Sequence, residues 1–132
     1  MLTDVLARRR ELILGGNADG FADLFAADAV IEMPFGGPPG APTRLAGREA
    51  IRAYSRQVMA APLRLEEYEV TTLHRAADPE VVIVEMRTSG VVTTTNRPFT
   101  AIAVQILRIR DGRIVHVRDF PDPRGLQGAL GD

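Results

Sequence analysis

The sequence predicts an α+β fold, in which N-terminal helices pack on a strongly curved antiparallel sheet around a central pocket. In the first half of the chain, apolar residues recur at helical spacing. In the second half, β-type runs alternate with short turn segments, which is the pattern of an antiparallel meander. Helices followed by such a meander cover one face of the sheet.

The length of 132 residues fits one domain spanning residues 1–132. Hydrophobic residues make up 45% of the chain and charged residues 25%, which is the ordinary balance of a soluble globular protein. The formal net charge of −1 offers no basic footprint for nucleic acid. No apolar stretch approaches the ~20 residues that span a bilayer. The chain has no cysteine, which excludes disulfides and thiolate chemistry and suits a cytoplasmic location. We therefore expect neither nucleic acid nor a membrane as partner.

The first predicted helix begins at the N-cap Thr3 and stops at Gly15-Gly16. Its apolar face contains one cation, Arg9. A cation inside an apolar stripe needs a partner or a water-lined cavity, unless it extends its charged end to the rim. The sequence leaves both interpretations open. The apolar members of this face are Leu2, Val5, Leu6, Leu12 and Ile13.

Further elements follow in order before the meander. Asn17 is a predicted cap for a second short helix that turns Phe21, Leu24 and Phe25 inward. A strand over Ala29–Phe35 is predicted to end at Pro34 and the loop Gly36–Gly40. A third helix is predicted over Glu49–Ala60, with Ile51, Tyr54 and Val58 at inward spacing.

The meander is predicted to contain four strands, separated by segments rich in turn residues. Asp111-Gly112 between the last two runs is the strongest local hairpin signal. The runs are Leu65–His74, Val81–Gly90, Phe99–Arg110 and Arg113–Phe120.

Both faces of the run Phe99–Arg110 are largely apolar, so we expect both to be covered. The helices cover one face, and a second copy of the chain is predicted to cover the other in a homodimer. Gln105 interrupts one apolar row beside the small residues Ala101 and Ala103. The pattern fits a pocket wall, and it equally fits a buried Gln bonded to a neighbouring backbone group.

Two further strands carry candidate acid–base groups. In Val81–Ser89 one face carries Glu85, Arg87 and Ser89, which are costly on a covered face unless they serve each other or a pocket. A structural Glu–Arg pair at the sheet rim is the alternative. In the last strand Asp119 shares a face with Val115 and Val117. An inward Asp119 beside Arg87 or Arg9 is predicted to have a shifted pKa.

In the same strand His116 lies on the opposite face, where a solvated or interface histidine is expected. Two isolated histidines without cysteine provide no metal-ligand spacing. The chain also lacks a nucleophile elbow, a phosphate-binding glycine loop and a dinucleotide fingerprint. We expect no metal and no cofactor, which leaves acid–base chemistry by carboxylate, Arg, Tyr or Gln side chains.

The segments Phe25–Gly36, Leu45–Ile51 and Arg110–Phe120 resemble the SnoaL-like and ketosteroid-isomerase-like superfamily, which shares the nuclear transport factor fold. The resemblance covers nearly the whole chain and implies a cone-shaped fold with a central pocket. At the isomerase positions for base and oxyanion hole, this chain has Met33, Arg9 and Gln105.

Other members of the superfamily imply other roles. Limonene-epoxide-hydrolase-like members match at Arg87 and Asp119, but their middle acid falls at Ser89. The small phenazine-biosynthesis proteins are similar at Asp78-Pro79, Val84-Glu85 and Arg118-Asp119-Phe120, and their pocket histidine aligns with Tyr54. SnoaL-like polyketide cyclases use an aspartate as acid and base in an apolar pocket.

Together these features predict a cofactor-free isomerase or cyclase acting on a small cyclic, mostly apolar carbonyl or polyketide-like metabolite. Asp119 is the expected proton shuttle, Arg87 its orienting cation, and Tyr54 and Gln105 the hydrogen-bond donors. Arg9 and Glu85 are expected to support them at the rim. The expected apolar wall is Met33, Phe35, Ala103 and Val117.

Two alternatives remain open from the sequence. The first is a non-catalytic module of the same fold that binds a small apolar ligand or serves in assembly. The second is an epoxide hydrolase, in which Glu85 replaces the acid missing at Ser89.

Overall fold

The structure is a computed structural model that describes residues 2–36, 43–122 and 124. The described residues form helices on one face of a six-stranded sheet, which is curled but does not close. The predicted α+β class is therefore confirmed. The helices are α1 (Leu2–Leu14), α2 (Ala18–Ala22) and α3 (Arg48–Met59). The strands are β1 (Phe25–Met33), β2 (Thr43–Ala46), β3 (Leu63–Arg75), β4 (Val81–Val92), β5 (Arg97–Arg110) and β6 (Arg113–Pro121).

The strand order β2-β1-β6-β5-β4-β3 brings the first and last long strands side by side. This contact corrects the prediction of a purely antiparallel sheet, because β1 and β6 are parallel, with Ile31 beside Val117. The four strands β6, β5, β4 and β3 form the predicted antiparallel meander. A parallel pairing is possible here because β1 and β6 are not joined by a hairpin: β2, α3 and the first three strands of the meander lie between them along the chain.

Several predicted boundaries shift. The strand predicted over Ala29–Phe35 is β1, which begins earlier, ends at Met33 and contains Phe25, a residue that the prediction placed on the inward face of the second helix. The short strand β2 was not predicted at all. Residues 37–40 of the glycine- and proline-rich loop lie outside the described residues. The cap at Asn17 is confirmed, since its side chain accepts a hydrogen bond from the Gly20 amide at 2.8 Å.

The main core fills the space between the helices and the inner face of the sheet. On β5, Phe99, Leu107 and Ile109 are buried on this inner face. Ile102 and Val104 on the outer face remain 56% and 37% exposed. The alternation predicted for this strand is thus correct. Among the described residues, no helix is both long enough and apolar enough to cross a membrane.

One irregularity of the sheet lies where β3 and β4 meet. The β3–β4 register shifts between Leu65 and Glu67, which marks a bulge that bends the strand. Gly90 of β4 lies opposite this bend. A Cβ atom at Gly90 would approach the Arg64 carbonyl oxygen to 2.0 Å, so only glycine fits here without a shift.

Candidate active site

A cavity of about 290 Å³ lies between α1, α3 and the inner face of the sheet. Its wall is mostly apolar and contains a few convergent polar side chains, which is the usual composition of a small-molecule site. The apolar residues are Ile13, Phe21, Phe25, Ile31, Met33, Val58, Met59, Met86 and Val117. The polar residues are Arg9, Tyr54, Ser55, Tyr68, Thr88, Gln105 and Asp119.

Strand register places two of the polar groups side by side. Gln105 of β5 and Asp119 of β6 are direct cross-strand partners. Residues that face each other across an antiparallel pair project to the same side of the sheet. Val117 and Asp119 share this side because side chains two positions apart on a strand point the same way. Asp119 therefore enters the cavity, as the alternation predicts.

The cation of the cavity is Arg9 of α1, which is 4% exposed. Its Nη1 donates a hydrogen bond to the Tyr68 hydroxyl at 2.7 Å, and its Nη2 donates to Oε1 of Gln105. The Tyr68 hydroxyl in turn lies 3.8 Å from the Met86 sulfur. This decides between the two sequence interpretations of Arg9. The guanidinium lies inside the cavity with partners and does not extend to the rim.

The Asp119 carboxyl is the titratable acid of the cavity. Burial raises the pKa of this carboxyl, whereas the hydrogen bond with Gln105 and the charge of Arg9 oppose the rise. Its Oδ1 atom is buried and has no hydrogen-bond partner within the described protein, and the same holds for Arg9 Nε. A buried polar atom of this kind requires an explanation, and a functional role is one.

Tyr54 of α3 lies at the mouth of the same cavity and is 37% exposed. Its hydroxyl is 3.9 Å from the sulfur of Met33, a weak acceptor, so the hydroxyl can also bond a ligand. Met33 and Val117 line the cavity as predicted.

Two predicted site residues, Glu85 and Arg87, lie outside the cavity. The face of β4 that points inward carries Val82, Val84 and Met86, so both charged residues project from the outer face. Arg87 is paired with Glu69 at 2.9 Å, and Glu85 is 2.6 Å from His74. The expectation that Arg87 orients Asp119 is therefore wrong. The sequence interpretation erred because alternation groups residues by face without showing which face is inside.

Two members of the expected apolar wall also lie elsewhere. The Phe35 side chain is 77% exposed, and its ring lies 5.6 Å from that of Phe120. Phe120 pairs with Val104 of the outer face, so Phe35 belongs to that side of the sheet. Ala103 faces inward but packs against the main core and does not line the cavity.

Tyr68, whose hydroxyl holds Arg9, is not among the site residues predicted from the sequence. Tyr68 is 3% exposed and lies on the inner face of β3. The bulge after Leu65 breaks the alternation along this strand, so Leu65 and Tyr68 are both turned inward despite an odd spacing. Two successive glutamates, Glu66 and Glu67, precede Tyr68 and were the available signal of such a break.

Both histidines of the chain lie on the outer face and pair with glutamates. His116 lies 2.5 Å from Oε1 of Glu32, and this hydrogen bond lowers the pKa of the Glu32 carboxyl. The expectation that His116 points away from the pocket is correct. Within the described ranges, no group of three or more His, Cys, Asp or Glu residues is arranged to hold a metal ion.

The curled sheet, the helices that cover it and the apolar cavity that contains the Asp119 carboxyl define a small α+β pocket protein. Comparison with known families agrees. The sequence model of the SnoaL-like domain matches residues 7–117. The chain belongs to the SnoaL-like family.

Relatives and solved structures extend this assignment. A PhzA/B-like protein of Pseudomonas aeruginosa is 35% identical over 97% of this chain and 89% of its own length. The crystal structure of a proposed isomerase from Bacillus subtilis is 29% identical, covers 98% of this chain and 91% of that one, and superposes with a TM-score of 0.87. IdmH, a proposed polyketide cyclase from Streptomyces antibioticus, is 26% identical over 98% of both chains, with a TM-score of 0.75.

The fold itself extends to more distant proteins. A Catenulispora acidiphila protein with a ketosteroid-isomerase-like fold, solved in complex with trimethylamine, is 20% identical, covers 96% of this chain and 92% of that one, and has a TM-score of 0.77. At this identity the likeness shows the fold alone.

Proposed function

We propose that this protein is a cofactor-free acid–base enzyme, an isomerase or cyclase, that acts on a small cyclic, mostly apolar carbonyl or polyketide-like metabolite. The observation that carries the proposal is the Asp119 carboxyl, which lies in the apolar cavity with its Oδ1 atom buried and its pKa raised, beside the fixed cation Arg9. A carboxyl whose pKa moves toward the working pH is suited to take up and return a proton. The similarity to the proposed polyketide cyclase supports the same class of substrate.

The geometry supports a specific division of roles. The Asp119 carboxylate takes a proton from the carbon next to a substrate carbonyl, and the C–H electron pair moves to form an enolate. The enolate oxygen accepts a hydrogen bond from the guanidinium of Arg9, which lines the cavity. The protonated Asp119 then returns its proton to another carbon, which completes an isomerisation.

The same enolate could instead attack a second carbonyl carbon of the substrate, which forms a ring. In that case the Asp119 proton neutralises the new alkoxide. Arg9 takes the role that the sequence interpretation gave to Arg87, since Arg9 is the cation inside the cavity. Tyr54 and Gln105 complete the polar contacts, and the apolar wall excludes water.

The first experiment identifies a substrate and then replaces the acid. Planar phenols, polycyclic ketones, terpene epoxides and diols are screened by thermal shift, because a ligand at ~100 times its Kd adds about 2.7 kcal/mol of stability. With the substrate found, Asp119→Asn should reduce kcat about 10²- to 10⁴-fold. The matched control is Asp111→Asn, at an exposed turn residue with φ of 52° that asparagine also tolerates. Full turnover by Asp119→Asn would disprove the proposed mechanism.

A non-catalytic binding module is the second candidate, and one observation favours it. Two donors of Arg9 are already bonded to Tyr68 and Gln105, which is the arrangement of a satisfied structural network. If Asp119→Asn changes binding or stability and no tested carbonyl compound is turned over by the wild type, this candidate replaces the enzyme. Epoxide hydrolysis has less support, because Asp119 is the only carboxylate among the described residues that line the cavity.

We further propose that a second copy of the chain covers the outer face of the sheet. Its centre is apolar, with Ile102 and Val104 exposed and the rings of Phe35 and Phe120 in contact. Balanced ion pairs, Arg87–Glu69 among them, flank this centre. A patch of this kind is suited to a two-fold interface, which must be self-complementary. Light scattering after size exclusion should give a dimer mass for the wild type and a monomer mass for Ile102→Arg. A monomeric wild type would disprove it.

A cytoplasmic location remains a prediction from the cysteine-free composition.

A further inference from the structure

A second cavity of about 410 Å³ adjoins the first at the C-terminal end of α1. The two cavities share four wall residues, Ile13, Val58, Met59 and Thr88. The shared wall contains Met59, whose unbranched side chain can change rotamer at low cost. The second cavity, which we call the tail cavity, therefore shares a wall with the candidate active site, and Met59 is the adaptable side chain of that wall.

The tail cavity lies where the apolar core of the described protein is divided. The main cluster ends near Met86 and Ala103, and a smaller cluster around Val92 and Phe99 lies apart from it. Leu63 and Leu65 belong to this smaller cluster and form the far wall of the tail cavity together with Phe99. The bulge of β3 lies opposite Gly90, and Leu63 and Leu65 beside it line the tail cavity together with the end of α1.

The floor of the tail cavity is Ala101 of β5. It stands on the inner face two positions from Phe99 and four from Gln105. A methyl group at this point leaves the space open, whereas a larger side chain would fill it. Polar groups are few in this wall, and one of them, Arg64, is already paired with Glu66 at 3.3 Å. The space is suited to hydrocarbon.

We infer that the substrate is elongated, with a compact polar head between Asp119 and Arg9 and an apolar tail that passes Met59 into the tail cavity. Ala101 is then the residue that determines the accepted tail length. The inference rests on the proposed function for the chemistry of the head. The first cavity alone, at about 290 Å³, is at the lower end of the ~300–1,000 Å³ usual for ligand sites. The tail cavity adds about 410 Å³, which more than doubles the volume available to a substrate.

The test uses a homologous series of 4-alkylphenols, from methyl to hexyl, and calorimetric measurement of Kd with the full chain. The phenol hydroxyl supplies the polar head and the alkyl chain supplies the tail. If each added methylene is buried in the tail cavity, Kd should fall about fourfold per methylene until the space is full. A Kd that does not change with chain length would overturn the inference, and so would the absence of binding by every member.

Variants locate the tail. Ala101→Phe should leave the Kd of 4-methylphenol within about twofold. It should abolish the gain in affinity per added methylene, since the new ring occupies the tail cavity. The matched control is Thr100→Phe, which adds the same ring on the exposed outer face of the same strand. An unchanged gain in Ala101→Phe would overturn the assignment. If Ala101→Phe does not fold, the smaller change Ala101→Val should fill part of the tail cavity, so that Kd stops falling at a shorter alkyl chain than in the wild type.

One further variant separates this inference from the proposed function. Asp119→Asn should weaken every phenol by a similar factor and preserve the gain per methylene. If Asp119→Asn has no effect on any phenol but the gain per methylene persists, the head assignment and the proposed function are wrong while the tail cavity stands. If Asp119→Asn weakens all phenols equally and the wild type shows no gain, the tail inference alone is wrong.

Discussion

Replacement of Arg9 by methionine tests whether the buried cation holds the site together. Methionine is about as long as the arginine stem and apolar, so it keeps much of the packing and removes the guanidinium. The change leaves the Tyr68 hydroxyl and the Gln105 carbonyl oxygen without their charged donor. It also leaves the Asp119 carboxyl in a cavity without a cation.

The expected loss follows from these contacts. A hydrogen bond to a charged group is worth about 1.5–3 kcal/mol, and Arg9→Met removes two such bonds, those to Tyr68 and Gln105. We expect Arg9→Met to lose about 3–5 kcal/mol at pH 7, a large part of the ~5–15 kcal/mol that stabilises an ordinary domain. For a chain of this size, that corresponds to a decrease in Tm of about 10–20 °C.

The loss should become smaller as the pH falls. Below the pKa of Asp119 the carboxyl is neutral, so the absence of the cation no longer leaves a buried charge, and only the hydrogen-bond contribution is lost. Thermal and urea denaturation at pH 7 and at a pH below 3.8 measure both values. If Arg9→Met does not fold at pH 7, Arg9→Lys keeps the charge with fewer hydrogen bonds and should lose less.

The control is the neighbouring Arg8, whose ion pair with Glu11 spans 3.2 Å between side chains that are more than half exposed. Such a surface pair is worth about 0–1 kcal/mol, so Arg8→Met should be nearly neutral. A loss in Arg9→Met no larger than in Arg8→Met would refute the argument for a buried, partnered cation.

Three further predictions concern the sheet, the core and the acid. Gly90→Ala should destabilise the protein by about 1–3 kcal/mol in denaturant unfolding, because its Cβ would lie 2.0 Å from the Arg64 carbonyl oxygen, whereas Ser89→Ala should be nearly neutral. Leu107→Ala, at a fully buried core position, should cost about 2–5 kcal/mol by the same measurement, and a loss below about 1 kcal/mol would contradict the described packing. Because burial raises the folded-state pKa of Asp119 above its ordinary value of 3.8, its contribution to stability is full below pH 3.8 and decreases as the pH rises through the folded-state pKa. Asp119→Asn should therefore match the wild type in Tm at low pH and exceed it at neutral pH, and a Tm difference that does not depend on pH would contradict the shift.

The sequence was sufficient to predict the fold class because the information is local. Hydrophobic spacing defined the helices, and the Asp111-Gly112 turn and the alternation in β5 defined the hairpin and its inner face. The position of Asp119 followed from the same alternation in β6. In each case the deciding neighbours lie within a few residues along the chain, where the backbone periodicity applies directly.

The partner of Asp119 could not be predicted in this way. Arg9 and Arg87 were both offered as its cation, and the choice depends on where α1 packs and which face of β4 it covers. Arg9 is joined to Gln105 across 96 positions of sequence, and no periodicity connects residues so far apart. Tyr68 was not predicted as a site residue for a different reason. The bulge in β3 changes the face on which the strand projects its side chains.

The charge of the cavity gives an independent argument for the proposed chemistry. With Asp119 ionised, its charge and that of Arg9 balance. When Asp119 takes a proton from the substrate, that balance would be lost unless a negative charge appears nearby, and the enolate oxygen supplies one beside the same guanidinium. The proton transfer therefore moves negative charge from the carboxylate to the substrate within the field of one fixed cation, so little reorganisation is needed. A neutral ligand that is only bound can use the same two groups as hydrogen-bond partners, but it does not require the carboxyl to change its charge. The pairing of a fixed Arg9 with a titratable Asp119 thus favours turnover over simple binding.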